Sequence, residues 1–319
     1  FDNLIFSLQE NGGGSTYWYE ILSRVSQDDF NFKELNYPSQ ELNRLYKLYY
    51  NDSLKRGVSF KLVDRYFERF RPPINLFSSE KFIFHSSYYR VLNTKNSKNV
   101  LTIHDFIPEL YFNNLRKNYN KCRKKISLSS ADSVICVSDS TKNDLLNFFP
   151  NVNPNKVSVI HNGVSEDFNH MNYTRKNYIM FVGSRFTYKN FRWSVKAVSL
   201  LKNMDFYIVG AKLNADEQSY ISSFKNLKYK VFTDISNHEL NELYNSAFAL
   251  IYPSDYEGFG LPVVEAMKSG CPVIARNRSS IPEISPAKNL LLDDFTFDEF
   301  LDKLEKLSLD YDNYQNNAL

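Results

Sequence analysis

Apolar positions in this chain fall into short runs of strand length, each followed by a polar or glycine-rich turn and then by a stretch with helical spacing. Asp2 to Leu8 (DNLIFSL), Phe82 to His85, Val100 to Ile103, Ser133 to Val137 and Val157 to Ile160 are such runs. The first predicts a strand ahead of the loop Asn11-Gly12-Gly13-Gly14 and a helix TYWYEILSRV capped by Ser15. Runs that are apolar throughout predict strands buried on both faces, and their alternation with helices predicts parallel sheets covered by helices. Ser165 to Asn177 (SEDFNHMNYTRKN) is polar and without period, which marks it as a linker. Beyond it a second series begins: YIMFVG, a helix from Phe191 to Leu201, FYIVG, a helix around Gln218 to Phe224, YKVF, a helix from His238 to Ser246, FALIYP and PVIA. The pattern predicts an α/β chain of two Rossmann-like parallel-sheet domains, 1–168 and 169–319, with ligand room in the cleft between them.

Composition changes this picture little. The length of 319 residues suits two ordinary domains, and 39 Lys+Arg against 36 Asp+Glu leave a net charge of +3, too balanced for a dedicated nucleic-acid binder. Cys122, Cys136 and Cys271 are well separated, with no CxxC, so the expected setting is reducing and cytosolic, without a structural zinc. There is no run of apolar residues long enough for a transmembrane helix and no signal peptide. The chain starts at Phe1 without Met, which leaves residues upstream, an export signal among them, open. Local clusters matter more than the totals. Leu42 to Phe70, with RLYKLYY and DRYFERFRPP, reads as helical, and Arg116 to Lys125 (RKNYNKCRKK) is a second basic segment. Each is either a solvated helix face or a contact with an anionic membrane, where a Lys or Arg near the surface gains about 1 kcal/mol.

The densest candidate chemistry lies in Tyr252 to Arg276 (YPSDYEGFGLPVVEAMKSGCPVIAR). Glu257 and Glu265 flank a turn with Gly258 and Gly260, and Leu261-Pro262 opens a helix from about Pro262 to Ser269 that Gly270 and Pro272 stop. The unpaired amides and partial positive charge of that helix start suit a phosphate. Two carboxylates beside it would repel the phosphate unless each serves hydroxyls of the same ligand, as on a sugar and a ribose. Arg185 and Lys189, in GSRFTYKNF after YIMFVG, lie at the carboxyl end of a strand where two cations can converge on a pyrophosphate; the alternative is two exposed surface cations. In the first half, His85-Ser86-Ser87, His104-Asp105 and His161-Asn162-Gly163 follow strands in the same way. Ligands of open parallel sheets bind outside the carboxyl ends of strands. A structural histidine, and a capping role for Asp105, stand as the plainer readings. The early glycine loop lets a phosphate or sugar approach the backbone closely, or is simply a tight turn. It lacks the GxGxxG fingerprint of a dinucleotide site. With no DxD flanked by an apolar strand, no HExxH and no His/Cys cluster, no metal is predicted, and cations and a helix dipole are left to stabilise an anionic leaving group.

Taken together, VGSRFTYKN, YPSDYEGFGLPVVEAMKSGCPVIA, IHNGV, TIHD and the early GGG loop resemble the retaining glycosyltransferases of the GT-B fold called family 4, and most of all their mannosyltransferase-like bacterial members. The most specific part is the E-x7-E motif, Glu257 to Glu265. The resemblance implies that Glu257 holds donor-sugar hydroxyls with the amides of Gly258, Phe259 and Gly260, that Glu265 binds the ribose, and that Arg185 and Lys189 clamp the diphosphate. It implies that amides at Leu261 and Val263 add the helix start to that clamp. His104 would lie close to the transferring sugar, making His104, Glu257, Arg185 and Lys189 the catalytic set, with Asp105 on the acceptor side. Gly13, Gly14 and Asn162 would join the donor site from the first domain, the two glycines facing phosphate or acceptor. YKVFTDIS would bring Asp234 and Ile235 near the base, although members often have Gly where Asp234 stands. The activity implied is transfer with retention of a hexose, first of all from GDP-mannose, to a glycan or lipid-linked glycan acceptor in bacterial capsule or lipopolysaccharide synthesis. It implies no cofactor besides the nucleotide-sugar substrate, no metal, no nucleic-acid partner, and a cytoplasmic location, at the inner face of the membrane if the basic segments dock there. A nucleotide-sugar epimerase or hydrolase on the same fold, and a non-catalytic nucleotide-sugar-binding subunit, are the alternatives. Members usually continue into a C-terminal helix that crosses back onto the first domain, whereas after FLDKLEKL this chain stops at DYDNYQNNAL.

Overall fold

The apolar runs of the first half become a parallel sheet, apart from the first of them. The computed structural model describes residues 1–8, 12–27, 34–36, 45, 57–59 and 79–318. By internal contacts the chain divides into Phe1–Asn162 and Gly163–Leu319.

The first unit runs α1 (Leu4–Leu8), α2 (Gly13–Gln27), β1 (Glu34–Asn36), β2 (Gly57–Ser59), β3 (Phe82–Ser86), β4 (Ser97–Ile103), α3 (Ile107–Tyr111), α4 (Asn114–Ser130), β5 (Ser133–Cys136), α5 (Asp139–Phe148) and β6 (Val157–Val159). Strands β3-β4-β5-β6 form a parallel sheet in that order, and β1 pairs with β2. The segment expected as the first strand is instead helical from Leu4. Leu4, Ile5 and Phe6 are all buried, and a short continuous apolar run serves a buried helix as well as a strand. A buried polar tie decides between them. The Asp2 carboxylate accepts from Ser87 N–H (2.8 Å), Ser86 Oγ (3.1 Å) and Arg90 Nε (3.1 Å), and Ile5 N–H donates to Ser87 Oγ (3.1 Å), fastening the segment to the end of β3. Arg90 and the hydrogen bonds outweigh burial and hold the Asp2 carboxyl below the usual range.

Two further expectations change. Ser15 lies inside α2 and donates to Gly12 O (2.8 Å), so Gly13 and Gly14 form the first turn of the helix instead of a loop before it. Most of Leu42 to Phe70 lies outside the described residues, and β2 within it is strand where helix was expected.

The second unit runs β7 (Tyr178–Val182), α6 (Phe191–Ser199), β8 (Asp205–Val209), α7 (Ala215–Ser222), β9 (Tyr229–Phe232), α8 (Asn237–Ser246), β10 (Ala249–Tyr252), α9 (Leu261–Lys268), β11 (Val273–Arg276), α10 (Ile281–Ile284), β12 (Leu291–Leu292), α11 (Phe297–Leu309) and α12 (Tyr311–Ala318). Its sheet is parallel throughout, with order β12-β11-β10-β7-β8-β9. Counted within the unit that order is 3-2-1-4-5-6 read from the β9 edge, the doubly wound arrangement whose direction reverses between its first and fourth strands. The first and fourth strands here are β7 and β10, paired through Ile179↔Ala249 and Met180↔Leu250.

Alternation along β7 shows why an unbroken apolar run is needed. Ile179 and Phe181 enter one core with Phe191, Val195, Phe300 and Leu304, while Tyr178, Met180 and Val182 enter the other with Tyr244, Val263 and Ala266. Each face of the sheet is covered by helices. The segment Ser165 to Asn177, expected as a linker, is strapped to this unit. Phe168 is buried in the second core, Asn169 N–H donates to Asn241 Oδ1 (3.2 Å), Met171 N–H to Asn245 Oδ1 (2.6 Å) and Lys176 N–H to Ser246 O (2.8 Å). It lacks a period because its backbone amides follow an irregular path along α8 and are taken there by side chains and a carbonyl. After α11 the chain forms α12, whose Tyr311 and Tyr314 join the first core and whose Gln315 Nε2 donates to Gly270 O (3.1 Å).

Candidate functional site

The switch point of the second sheet gathers most of the residues singled out in the sequence. After β7 the chain turns through Gly183 and carries Arg185 and Lys189; after β10 it carries Glu257 and the turn to α9; after β11 it carries Ser279 and Ser280. The first two loops are tied together: Asp255 N–H donates to Tyr188 O (2.8 Å) and Asn190 Nδ2 to Pro253 O (3.0 Å). Asn190 adopts a left-handed φ of 52°, a conformation Asn tolerates better than most residues, and so starts α6 directly after the turn.

Lys189 and Glu257 meet there. The Lys189 ammonium hydrogen-bonds Glu257 Oε1 and also donates to the Tyr252 hydroxyl (3.1 Å). The two charged side chains are only 11% and 10% exposed, so neither charge is satisfied by water alone. Burial, then the Glu257 charge, raises the Tyr252 phenol well above its ordinary value, so it remains a neutral hydroxyl. Glu257 is held from behind as well. Its N–H donates to Ser279 Oγ (3.3 Å), its carbonyl accepts from Ser279 and from Ser280 Oγ (3.0 Å), and Ser280 Oγ also reaches Phe259 O (2.8 Å). Two serines thus staple a buried loop, Glu257 to Gly260. Gly260 has φ +104°, and a Cβ there would lie 2.8 Å from Ile281 Cδ1. Val263 N–H donates to Gly260 O (2.9 Å), and α9 begins at Leu261.

Glu265 lies in the second turn of α9, half-buried, with Tyr244 OH donating to its Oε2 (3.4 Å). Burial pushes its carboxyl up to about 7, more than the Tyr244 hydrogen bond pulls it down. Hydroxyls donating to this carboxylate would stabilise its charged form.

Arg185 is engaged elsewhere. Its Nε pairs with Glu217 of α7 at 2.9 Å and one Nη donates to Lys212 O (2.8 Å). Gly210, with φ +152°, packs closely on the same turn: a Cβ there would lie 2.6 Å from Gly183 O. The two cations share a loop but have different partners. Asp234, exposed after β9, adopts φ +56°, so an Asp takes the left-handed conformation for which Gly is the usual residue. Ile235 beside it packs on the second core.

In the first unit His104 and Asp105 follow β4. The His104 ring stacks edge-on against Tyr17 of α2 (4.9 Å between centroids), and its Nε2 is enclosed without a hydrogen-bond partner among the described residues. Burial, helped by the Lys124 charge, lowers its pKa to about 4. Near neutral pH it is a neutral imidazole, able to exchange a hydrogen bond with a ligand but not to bring a charge. His85 bonds Thr102 Oγ1 (2.9 Å), which also meets Tyr17 OH (3.2 Å). Asp105 Oδ1 accepts from Ile107 N–H (3.0 Å), the capping role. Lys124 donates to Asp105 O (2.7 Å) and pairs with the buried Glu109 (2.9 Å), which fixes the path of this loop. Lys124 is therefore internal and Arg123, which donates to Tyr88 O (3.1 Å), half-buried, while Lys121 and Lys125 of α4 face outward with Leu115 and Ile126. Gly13 and Gly14 open α2, and Asn162 has an enclosed Oδ1 without a partner among the described residues.

Tyr252, Ser279, Ser280, Glu217 and Tyr244 were not singled out from the sequence. The rule about strand ends could have found the first three, since Tyr252 closes β10 and the serines follow β11. Glu217 and Tyr244 sit on helices, where no local signal separates them from ordinary surface and core residues.

Comparison with known proteins covers both units. The family described as Glycosyltransferase Family 4 matches residues 12–168, and that described as Glycosyl transferases group 1 matches residues 165–318. The chain is 33% identical over 187 residues to the O-antigen chain mannosyltransferase RfbU of Salmonella typhimurium, covering 57% of this chain and 52% of that one. It is 25% identical over 226 residues to O-antigen chain mannosyltransferase B of Escherichia coli, covering 64% and 57%. It thus spans about half the length of these relatives. Among solved structures, WaaG, a glycosyltransferase involved in lipopolysaccharide biosynthesis, aligns with a TM-score of 0.67 at 15% identity over 96% of this chain and 90% of that one. Anabaena Alr3699/HepE in complex with UDP aligns at 0.70 and 13% identity over 99% and 91%. At these identities the likeness establishes the fold, two parallel-sheet α/β units of the GT-B glycosyltransferase type.

Proposed function

Since the chain belongs to the family 4 and group 1 glycosyltransferases, its first and second units matching them in turn, we propose that it moves a hexose, first of all mannose from GDP-mannose, onto a glycan or lipid-linked glycan acceptor of a bacterial surface polysaccharide, with retention at the anomeric carbon and without a metal or other cofactor. The observation that carries this reading is the buried Lys189–Glu257 pair at the switch point of a 3-2-1-4-5-6 sheet, beside the start of α9. A cation for a diphosphate and a carboxylate for sugar hydroxyls lie side by side, and Glu265 stands one helical turn further on for a ribose. The O-antigen mannosyltransferases among the relatives support the choice of sugar and pathway.

In this reading the leaving diphosphate gains negative charge as the bond to the sugar breaks, and Lys189 with the amino end of α9 stabilises it. Arg185 would have to leave Glu217 to join them. The test is incubation with GDP-mannose and other nucleotide sugars, with and without a lipid-linked oligosaccharide acceptor, reading the product's mass and anomeric configuration. A retained mannoside formed only with acceptor is the expected product. Conversion or hydrolysis of the donor without acceptor, or an inverted product, overturns the reading.

Peripheral membrane contact belongs to the same proposal. No helix among the described residues is long and apolar enough to cross a membrane. The face of α4 with Lys121, Lys125, Leu115 and Ile126 suits an anionic lipid surface. Vesicles of phosphatidylglycerol should sediment the protein, and Lys121→Glu with Lys125→Glu should release it; equal sedimentation of both proteins contradicts the assignment.

A further inference from the structure

Glu257 faces two demands that cannot both be met by a free nucleoside diphosphate. Its carboxylate is the counter-anion of Lys189, in a loop where Glu257 is 8% exposed. A diphosphate drawn to Lys189 competes with that carboxylate for the same ammonium. Tyr252 OH, 3.1 Å from the ammonium and hydrogen-bonded to Glu257 as well, is neutral, so it cannot replace the cation at that carboxylate. Once Lys189 turns to the diphosphate, Glu257 is left as a buried charge short of a partner, and such a charge is costly. Its backbone is stapled by Ser279 and Ser280, so the loop cannot readily carry it out to water. A ligand that brings further hydroxyl donors along with its diphosphate restores the balance.

We infer that Glu257 sets the preference of the site for an intact sugar nucleotide over the free nucleoside diphosphate, because it surrenders Lys189 to the diphosphate and takes sugar hydroxyls in exchange. The inference rests on the nucleotide-sugar reading above and goes beyond it: the same carboxylate that contacts the sugar also weakens the hold on the product nucleotide. After transfer the sugar has gone, Glu257 reclaims Lys189, and the nucleoside diphosphate is expelled.

Calorimetric titration of the full chain with GDP and GDP-mannose, and in parallel with UDP and UDP-glucose, tests this. Glu257→Gln removes the competing charge at nearly constant shape. It is expected to tighten the nucleoside diphosphate by roughly tenfold or more, from the cost of stranding a buried charge, while the sugar nucleotide gains nothing or weakens. The ratio of the two dissociation constants then collapses toward one. Glu257→Asp, whose carboxylate reaches less far, shifts the ratio in the same direction, and melting curves verify that both variants fold. In a Lys189→Gln background the Glu257→Gln gain disappears, as coupling through one ammonium requires. An unchanged or weakened nucleoside diphosphate in Glu257→Gln, or an equal gain in the Lys189→Gln background, overturns the inference while leaving the nucleotide-sugar reading intact. Failure of the natural chain to bind any of the four ligands overturns both.

Discussion

At the scale of single residues, the site is a set of charges whose environments differ. Lys189 is buried against Glu257 and Tyr252, so removing it takes away a preorganised cation. Lys189→Ala should lower transfer on the order of a hundredfold or more, the usual cost of losing one donor to developing anionic charge, with the fold kept as judged by circular dichroism. Near-normal turnover in that variant would sink the clamp. Glu265 has the opposite sign of effect on stability. Its folded pKa of about 7 lies above the ordinary 4.5, so between those values the folded chain holds a proton that the unfolded chain releases. Stability therefore falls as pH rises from about 4.5 to 7 and levels off above, by up to about 3 kcal/mol. Glu265→Gln should flatten that fall in urea unfolding at pH 5 and pH 8. An equal decline in both proteins would contradict the burial argument. A nucleotide whose ribose donates to Glu265 should also bind more tightly above pH 7 than below it.

Elements set these environments through a few close approaches. The turn after β8 admits the Gly183 carbonyl only because Gly210 has no side chain. Gly210→Ala should cost about 1–3 kcal/mol, from a strained φ and a backbone collision that cannot be relieved by a rotamer change. A melting temperature equal to that of the natural chain is the result that contradicts this. Elements are also where expectation and structure part most clearly. Strands β7 to β11 and helices α6 to α9 were legible within a few residues, because unbroken apolar runs bounded by glycine or proline leave few alternatives; the two-residue β12 was not. The segment at Leu4–Leu8 was not, since a run of that length fits either state and the choice was made by Asp2 reaching Ser86, Ser87 and Arg90, more than eighty positions away. The supposed linker after Ser165 failed for the same reason: its asparagine and methionine amides bind side chains of α8, which no local pattern reveals.

At the scale of the whole molecule, two units carry separate cores, and unfolding should not be two-state. A nucleoside diphosphate sugar at a hundredfold excess over its dissociation constant should stabilise the second unit by about 2.7 kcal/mol. The chain has two tryptophans, Trp18 in the first unit and Trp193 in the second, so each transition has its own fluorescent reporter. Trp18→Phe leaves Trp193 alone to follow the second. A ligand that shifted only the Trp18 transition would contradict the assignment of the donor site to the second unit.

By itself, the sequence determined which residue types stand at strand ends: the glycine turn before Pro262, the two glutamates on either side of it, the cations after YIMFVG, and the histidine after β4. These follow from local rules about period, turns and helix starts, because each is written within a dozen neighbouring positions. Tertiary structure alone decided which of these groups meet. It joined Lys189 to Glu257, 68 positions apart, by pairing the first and fourth strands of the sheet. It turned Arg185 to Glu217 instead and stapled Glu257 with Ser279 and Ser280. Pairing across strands depends on sheet order and register, and burial depends on everything packed around a group, so neither contact nor the state of a charge is encoded at any one place in the chain.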